Sequence, residues 1–515
     1  MLNYYCTWNA QNCARPDAVL EPSAEGAADG LYSSQVFLGA DGAKKARDYL
    51  DEDSIFGSGD LTGQFAPVRD QLYFLLDDGW DVPRGTHPVN DAAIESFGSL
   101  ELARDRFPSF PGTPAQRLRG VNEALKARGW RGAGLWVSAQ ACGEGFVSGF
   151  WSREKSAEYW RTRLRWSREA GIGYWKIDWG CRQFDPQWRQ LLEELKQQEY
   201  PQLHMEQCHP AAAPVNNVVL ENGRQISDGR FASWSPWPDR WAEILRNAEI
   251  FRSYDVLWQF SQVSTLDRIA ALMRACPSAH TIINCEDEAY IGAVLGCSIG
   301  VMRSGLYRPI PVFDFDPQHN AQKLHEITRA VKWQAQYPEL PICGSALRCS
   351  EATVQERFCF APGQTWMKEY EHQTITQACP AVITRGMEHL PEIVCADALQ
   401  PLIIASRRGQ SVAAASLPRR DGAAWRIPRA QISLPEARHA GLFGEWDCVR
   451  IAIPPEGFSS VRARDLADGA WTDVTRQTVR KGRQLVIPGD LIDRLCRCDD
   501  ESAPGLELQL EGVSN

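Results

Sequence analysis

Carboxylates close several of the short apolar runs in this chain, and they are its most reactive-looking side chains. Asp77 and Asp78 end Gln71-Leu72-Tyr73-Phe74-Leu75-Leu76, and Asp178 ends Tyr174-Trp175-Lys176-Ile177. Glu206 lies in Leu203-His204-Met205-Glu206-Gln207-Cys208, and Asp255 lies near the end of Ile250-Phe251-Arg252-Ser253-Tyr254-Asp255-Val256. Glu286, Asp287 and Glu288 follow Thr281-Ile282-Ile283-Asn284. Residues two apart on a strand share a face, so Lys176 and Asp178 bring a cation and a carboxylate together. In parallel α/β barrels the chemistry sits at the C-terminal ends of strands. A carboxylate-lined mouth with Trp walls suits glycoside hydrolysis, which needs one carboxylate as nucleophile or base and another as acid. The same acids could instead hold Mg²⁺. The abundance of Trp, 19 residues, and the lack of a recognisable metal triad favour sugar.

Each of these residues also has a plainer reading. Asp178 could cap the next helix, and Asp77 and Asp78 could form a turn before Gly79. Glu206 reads as a sugar-hydroxyl acceptor or a structural partner. Trp8, Trp136 and Trp179 could each stack on sugar or belong to the core. His204 and His209 do not make a metal site. The 16 cysteines contain no CxxC pair, so no zinc site is suggested, and the leading reading expects no metal and no cofactor.

The elements that must position these groups alternate. Strands are expected at Leu2–Trp8, Gln71–Trp80, Gly132–Ser138, within Gly171–Trp179, and at Leu203–Cys208, Ile250–Val256, Thr281–Asn284 and Gly300–Ser304. Helices are expected at Thr113–Arg128, Ser152–Ala170, Pro186–Gln198, Trp241–Ala248, Ser264–Cys276 and Asn320–Gln336. Eight strands with helical connections is the count of a (β/α)₈ (TIM) barrel, an α/β fold, although strand–helix alternation by itself would also fit a doubly wound sheet. No GxGxxG or phosphate-loop motif follows any strand, which argues against nucleotide binding. A Gly- and Asp-rich excursion over 11–67, with one helix at Ala43–Leu50, is long for a plain loop and suggests an insertion over the active face. After Pro338 helical periodicity gives way to short alternating runs punctuated by Gly, Pro and Asp. The expected organisation is a barrel over 1–337 and a C-terminal antiparallel β-sandwich over 338–515.

At 515 residues the length allows about three domains. A net charge of -10 argues against nucleic-acid binding, and no apolar run reaches the roughly 20 residues of a membrane span. The first residues lack a signal peptide's basic and apolar regions, so the expected location is cytoplasmic. Oligomeric state is not legible in the chain.

Leu76-Asp77-Asp78-Gly79-Trp80 and Tyr174-Trp175-Lys176-Ile177-Asp178 resemble two signature strands of the clan D retaining α-galactosidases, the melibiase-type glycoside hydrolases. The motif order matches over roughly 1–308. The resemblance implies that Asp77 and Asp78 bind hydroxyls of the sugar, that Lys176 binds substrate and that Asp178 is the nucleophile. It also aligns Trp8-Asn9 with an early Trp-Asn, and makes Asp255, with Arg252 before it, the acid/base. Asp228, Asp239 and Asp287 are rivals for that role. The expected activity is retaining exo-α-glycosidase action on an oligosaccharide or glycoside. A carbohydrate-binding protein without catalysis and a metal-dependent barrel isomerase or lyase are the competing classes. Three departures stand out: the length of the excursion, the closeness of Arg252 to Asp255, and the unfamiliar Met205-Glu206-Gln207-Cys208.

Overall fold

The computed structural model describes residues 1–13, 42–86, 94–208, 218–220, 225–226, 238–252, 261–306, 317–359, 374–421, 424–496 and 502–512. Eight short parallel strands form the first sheet. They are β1 (Tyr4–Cys6), β2 (Tyr73–Leu76), β3 (Gly132–Val137), β4 (Tyr174–Ile177), β5 (His204–Cys208), β6 (Ile250–Arg252), β7 (Ile282–Asn284) and β8 (Gly300–Val301). From β1 to β7 each pairs with the next in sequence, and β8 pairs with β1 through Tyr4↔Gly300. A parallel bridge between Asn284 and Ser298 joins β7 to the entrance of β8 and closes the ring. This is the (β/α)₈ barrel.

The helices described up to the end of the barrel are α1 (Trp8–Cys13), α2 (Gly42–Tyr49), α3 (Glu52–Phe56), α4 (Pro114–Ala127), α5 (Arg153–Ala170), α6 (Pro186–Glu199), α7 (Pro238–Asn247), α8 (Ser261–Ala275), α9 (Ala289–Leu295) and α10 (Pro317–Gln334), and one more, Gly489–Leu495, lies in the C-terminal part. Their ends are written locally. Thr113 and Gln116 make a reciprocal capping box with Pro114 in the first turn of α4. Ser152 caps α5, and Gly171 ends it with φ +71, a left-handed conformation that costs glycine little. The chain then enters β4 directly. Helix α9 differs from expectation: the acidic cluster runs into a short helix whose residues are all buried. A helix with no polar face carries no amphipathic signal. No described helix is long and apolar enough to cross a membrane.

Beyond α10 lies a β domain. Its larger sheet runs 347–349, 382–385, 402–408, 411–417, 439–443, 505–511, 460–465, 472–473, and its smaller one 392–394, 430–434, 446–452, 484–488, 479–481. Ile403, Ala405, Val412 and Ala414 face a core shared with Ile432, Val449 and Ile451 of the smaller sheet. Their alternates Leu402, Ile404, Ala413 and Ala415 join the barrel's core. A sheet buried on both faces explains why these strands read as nearly continuous apolar runs. The sheets are mixed rather than purely antiparallel, because 382–385 with 402–408, 411–417 with 439–443, and 430–434 with 446–452 are parallel pairs. Alternation in sequence reports which faces are buried and is silent on strand direction.

A further sheet joins distant parts of the chain. Strand 374–380 pairs with 353–359 and also with 218–220, from the segment after β5. The thirteen described cysteines that are resolved as thiols form no disulfide.

Candidate active site

The site is built where β1 to β7 end. Strand β2 stops at Leu76, so Asp77 and Asp78 need not obey strand alternation, and their side chains diverge. The Asp77 backbone N–H donates to Thr7 Oγ1 at 3.0 Å. Asp77 Oδ1 accepts the Asp78 N–H at 2.8 Å, and its Oδ2 accepts from Lys176 Nζ at 2.8 Å and Cys6 Sγ at 3.0 Å. Asp78 turns the other way, with Oδ2 2.6 Å from Arg47 Nη2. Its Oδ1 is buried without a hydrogen-bond partner among the described residues. Burial raises the Asp78 pKa, and the Arg47 charge opposes that rise.

Arg47 belongs to α2 of the excursion, so the insertion places a cation against the paired carboxylates. Gly79 permits this. Its φ is +119, and a Cβ there would lie 2.9 Å from the Arg47 backbone. The guanidinium sits 5.2 Å from the Phe97 ring centroid and 5.7 Å from that of Trp179. These rings and Trp136 form an aromatic wall, with Phe97–Trp179 at 5.0 Å and Trp136–Trp179 at 5.4 Å.

Asp178 follows β4 directly. Its N–H donates to the Val137 carbonyl at 3.0 Å. Its Oδ2 accepts the Trp136 indole N–H at 3.1 Å and lies 3.6 Å from Lys176 Nζ. Its Oδ1 is buried with no hydrogen-bond partner among the described residues. The cap of α6 is Asp185, which accepts the N–H groups of Gln187 and Trp188, so Asp178 is not spent on that helix. Arg189 braces the strand ends from behind. It donates to the Asp178 and Cys208 carbonyls at 3.2 and 3.0 Å and to Gln207 Oε1 at 2.8 Å. Lys176, fully buried, thus bridges Asp77 and Asp178. Burial works against its charge, yet Asp77, Cys6 and Asp178 hold its pKa well above the usual lysine value.

The remaining expected residues fall into different places. Trp136 is fully buried, and its role on view is to hold Asp178 rather than to offer a stacking face. Glu206 is fully buried; Oε1 accepts from Tyr4 Oη at 2.9 Å, and Oε2 from Tyr174 Oη at 2.7 Å and Asn284 Nδ2 at 2.6 Å. Both its oxygens are engaged inside the barrel, which is the structural-partner arrangement. Arg252 ends β6, reaches Tyr4 Oη, and lies 3.5 Å from Glu286 Oε2. Trp8, half-buried, opens α1. His204 pairs with Glu249 at 2.9 Å at the start of β5, away from these strand ends. Asp287 accepts the Met302 and Arg303 N–H groups at 2.6 and 3.2 Å and faces Arg303, which braces the entry to the loop after β8. Asp255, Asp228 and His209 lie outside the described residues; Asp239 lies in α7. Among the described residues no group of His, Cys, Asp and Glu is arranged to hold a metal ion.

Arg47, Cys6, Arg189 and Asp81 were not legible as site residues. Asp81, three residues after Asp78, is buried; its Oδ2 accepts the Leu100 N–H at 3.1 Å and its Oδ1 has no partner among the described residues. Burial pushes its pKa up to about 7. A carboxyl that holds its proton more tightly when folded makes the fold lose stability as pH rises from about 4 to about 7. Asp81→Asn should therefore stabilise the protein at pH 8, by on the order of 4 kcal/mol, with the gain vanishing toward pH 4. Thermal midpoints of both chains across that range check this. An equal difference at both ends would show that Asp81 is not protonated on folding.

No family model matches the chain, and no curated protein matches it. Solved structures are similar in overall course. A GH27 β-L-arabinopyranosidase from Geobacillus stearothermophilus, in complex with arabinose, is 10% identical with a TM-score of 0.42, over 91% of this chain and 95% of that one. An α-galactosidase I from Mortierella vinacea is 10% identical with a TM-score of 0.35, over 100% and 98%. The α-galactosidase from Saccharomyces cerevisiae with raffinose is 10% identical with a TM-score of 0.35, over 90% and 96%. A likeness this distant concerns the course of the chain and says nothing of substrate.

Proposed function

We propose that the protein is a retaining exo-α-glycosidase, α-galactosidase-like, acting on terminal α-linked galactose or a closely related sugar. The observation that carries this is Asp178: one carboxylate oxygen is fixed by Trp136 and Lys176 and the other has no hydrogen-bond partner among the described residues. A nucleophile needs a fixed orientation and a free lone pair. Asp178 Oδ1 attacks the anomeric carbon as the glycosidic C–O bond breaks, and Asp255 gives its proton to the departing oxygen. Water then attacks the same carbon and surrenders a proton to Asp255, and Asp178 leaves as carboxylate. An acceptor sugar hydroxyl can replace that water. Lys176 lies 3.6 Å from Asp178 Oδ2 and 2.8 Å from Asp77 Oδ2, so one cation orients both carboxylates. Asp78 Oδ1 is placed to accept a sugar hydroxyl, and the Arg47 charge opposes the rise in pKa that burial imposes on that carboxyl.

Incubation with an aryl α-galactoside, followed by proton NMR, tests this. The first-formed sugar should be the α-anomer, and a chelator should leave the rate unchanged. A β-anomer first would exclude double displacement, and loss of activity in chelator would favour the metal-dependent class.

A further inference from the structure

The loop after β3 carries a feature that the mechanism above does not use. Phe146, Val147 and Phe150 are 59%, 69% and 51% exposed. Among the described residues they are half of the exposed large hydrophobic side chains, gathered within five positions. They sit on a tight turn in which Gly145 and Gly149 bridge. The Phe146 and Phe150 rings meet edge to face, 5.7 Å apart. Scattered exposed apolar residues need no explanation, but a concentrated and ordered group does.

This turn is fastened to the loop that begins with Asp178. Ala139 N–H and Ser138 Oγ donate to the Trp179 carbonyl at 2.9 and 3.1 Å, and Arg182 N–H donates to the Ala139 carbonyl at 2.9 Å. Glu144, with its side chain fully buried, accepts from Arg182 Nε and Nη2 at 3.0 and 2.7 Å and from the Trp151 N–H at 2.9 Å. The Arg182 guanidinium then lies 4.4 Å from the Phe150 ring centroid. The turn is therefore tied to the loop that Asp178 opens, on the face where the barrel strands end.

We propose that the Phe146–Phe150 turn is the aglycone subsite, a platform for the apolar face of the second pyranose ring of an α-linked oligosaccharide. This rests on the glycosidase reading of Asp178. Phe97 and Trp179 stand on the loops after β2 and β4, and the platform's loop is fastened to both: Ser148 N–H donates to Glu95 Oε1 at 2.9 Å and Gly143 N–H to the Glu95 carbonyl at 2.8 Å, beside the Arg182 contacts above. Sugar C–H faces pack on aromatic rings, and rings that are already immobile lose little entropy on binding. A protein partner is a poorer occupant, because three side chains fall far short of the roughly 800 Å² per partner of a stable interface.

The test is Phe146→Ser with Phe150→Ser, both on the surface, compared with the unaltered protein on two substrates. One is methyl α-galactoside and the other an α-galactosyl disaccharide. The disaccharide should lose about tenfold in kcat/KM, mainly through KM, while the methyl glycoside and inhibition by free galactose stay within about twofold. Equal effects on both substrates, or none on the disaccharide, overturn the platform. So does an unchanged disaccharide profile with dissociation of an oligomer in sedimentation, which would make the turn a contact between copies. If the unaltered protein cleaves neither substrate, the glycosidase reading fails first. Calorimetry with the disaccharide then still decides the platform, and equal affinities for both chains overturn it.

Discussion

Asp178→Asn should lower turnover of an α-galactoside by about three or more orders of magnitude, roughly 4 kcal/mol of transition-state stabilisation, while leaving the fold intact. The amide is nearly isosteric. Its oxygen can still accept the Trp136 indole N–H, and Lys176 keeps Asp77 at 2.8 Å as its nearer partner. What disappears is the anionic lone pair that forms the covalent glycosyl ester. Galactose affinity should change by no more than about tenfold, because one cation–carboxylate contact at 3.6 Å is lost and the ring contacts remain. Near-normal turnover in this variant would remove Asp178 as the nucleophile. Binding of galactose by an unaltered protein that never turns over a glycoside would instead identify a binding protein.

Asp255→Ala should divide substrates by their leaving group. Proton donation matters most when the departing oxygen is a poor leaving group, so an alkyl or sugar α-galactoside should slow by about 10²–10⁴-fold. The first step on an activated aryl galactoside should be nearly spared, and the glycosyl ester on Asp178 should accumulate. Azide needs no general base, so adding it should restore turnover and yield a galactosyl azide of retained configuration. If azide does nothing and both substrates suffer alike, Asp255 is a binding residue. The acid would then be sought at Asp228 or Asp239 before Asp287, whose carboxylate accepts two backbone N–H groups and faces Arg303.

The amino-acid order by itself determined the alternation of eight short apolar strands with helices and the count that suits a barrel, while closure into a ring rests on the pairing of Tyr4 with Gly300 and of Asn284 with Ser298. Ser152, Gly171, Thr113 and Asp185 are local signals, readable from neighbours within a few residues. The juxtaposition of Lys176 and Asp178 followed from strand periodicity alone. Tertiary structure decided what periodicity cannot carry. It brought Arg47 from an insertion to Asp78 across 31 residues, by way of a glycine whose conformation no local pattern announces. It turned Trp136 from a stacking candidate into the donor that orients Asp178, and closed Glu206 in a cage of Tyr4, Tyr174 and Asn284. It also set strand direction in the β domain and the pairing of 374–380 with 218–220. Alternation and capping are short-range consequences of backbone geometry. Which carboxylate is engaged, and which is left an unpaired oxygen, depends on partners tens to hundreds of residues away, and only the folded chain brings them within hydrogen-bonding distance.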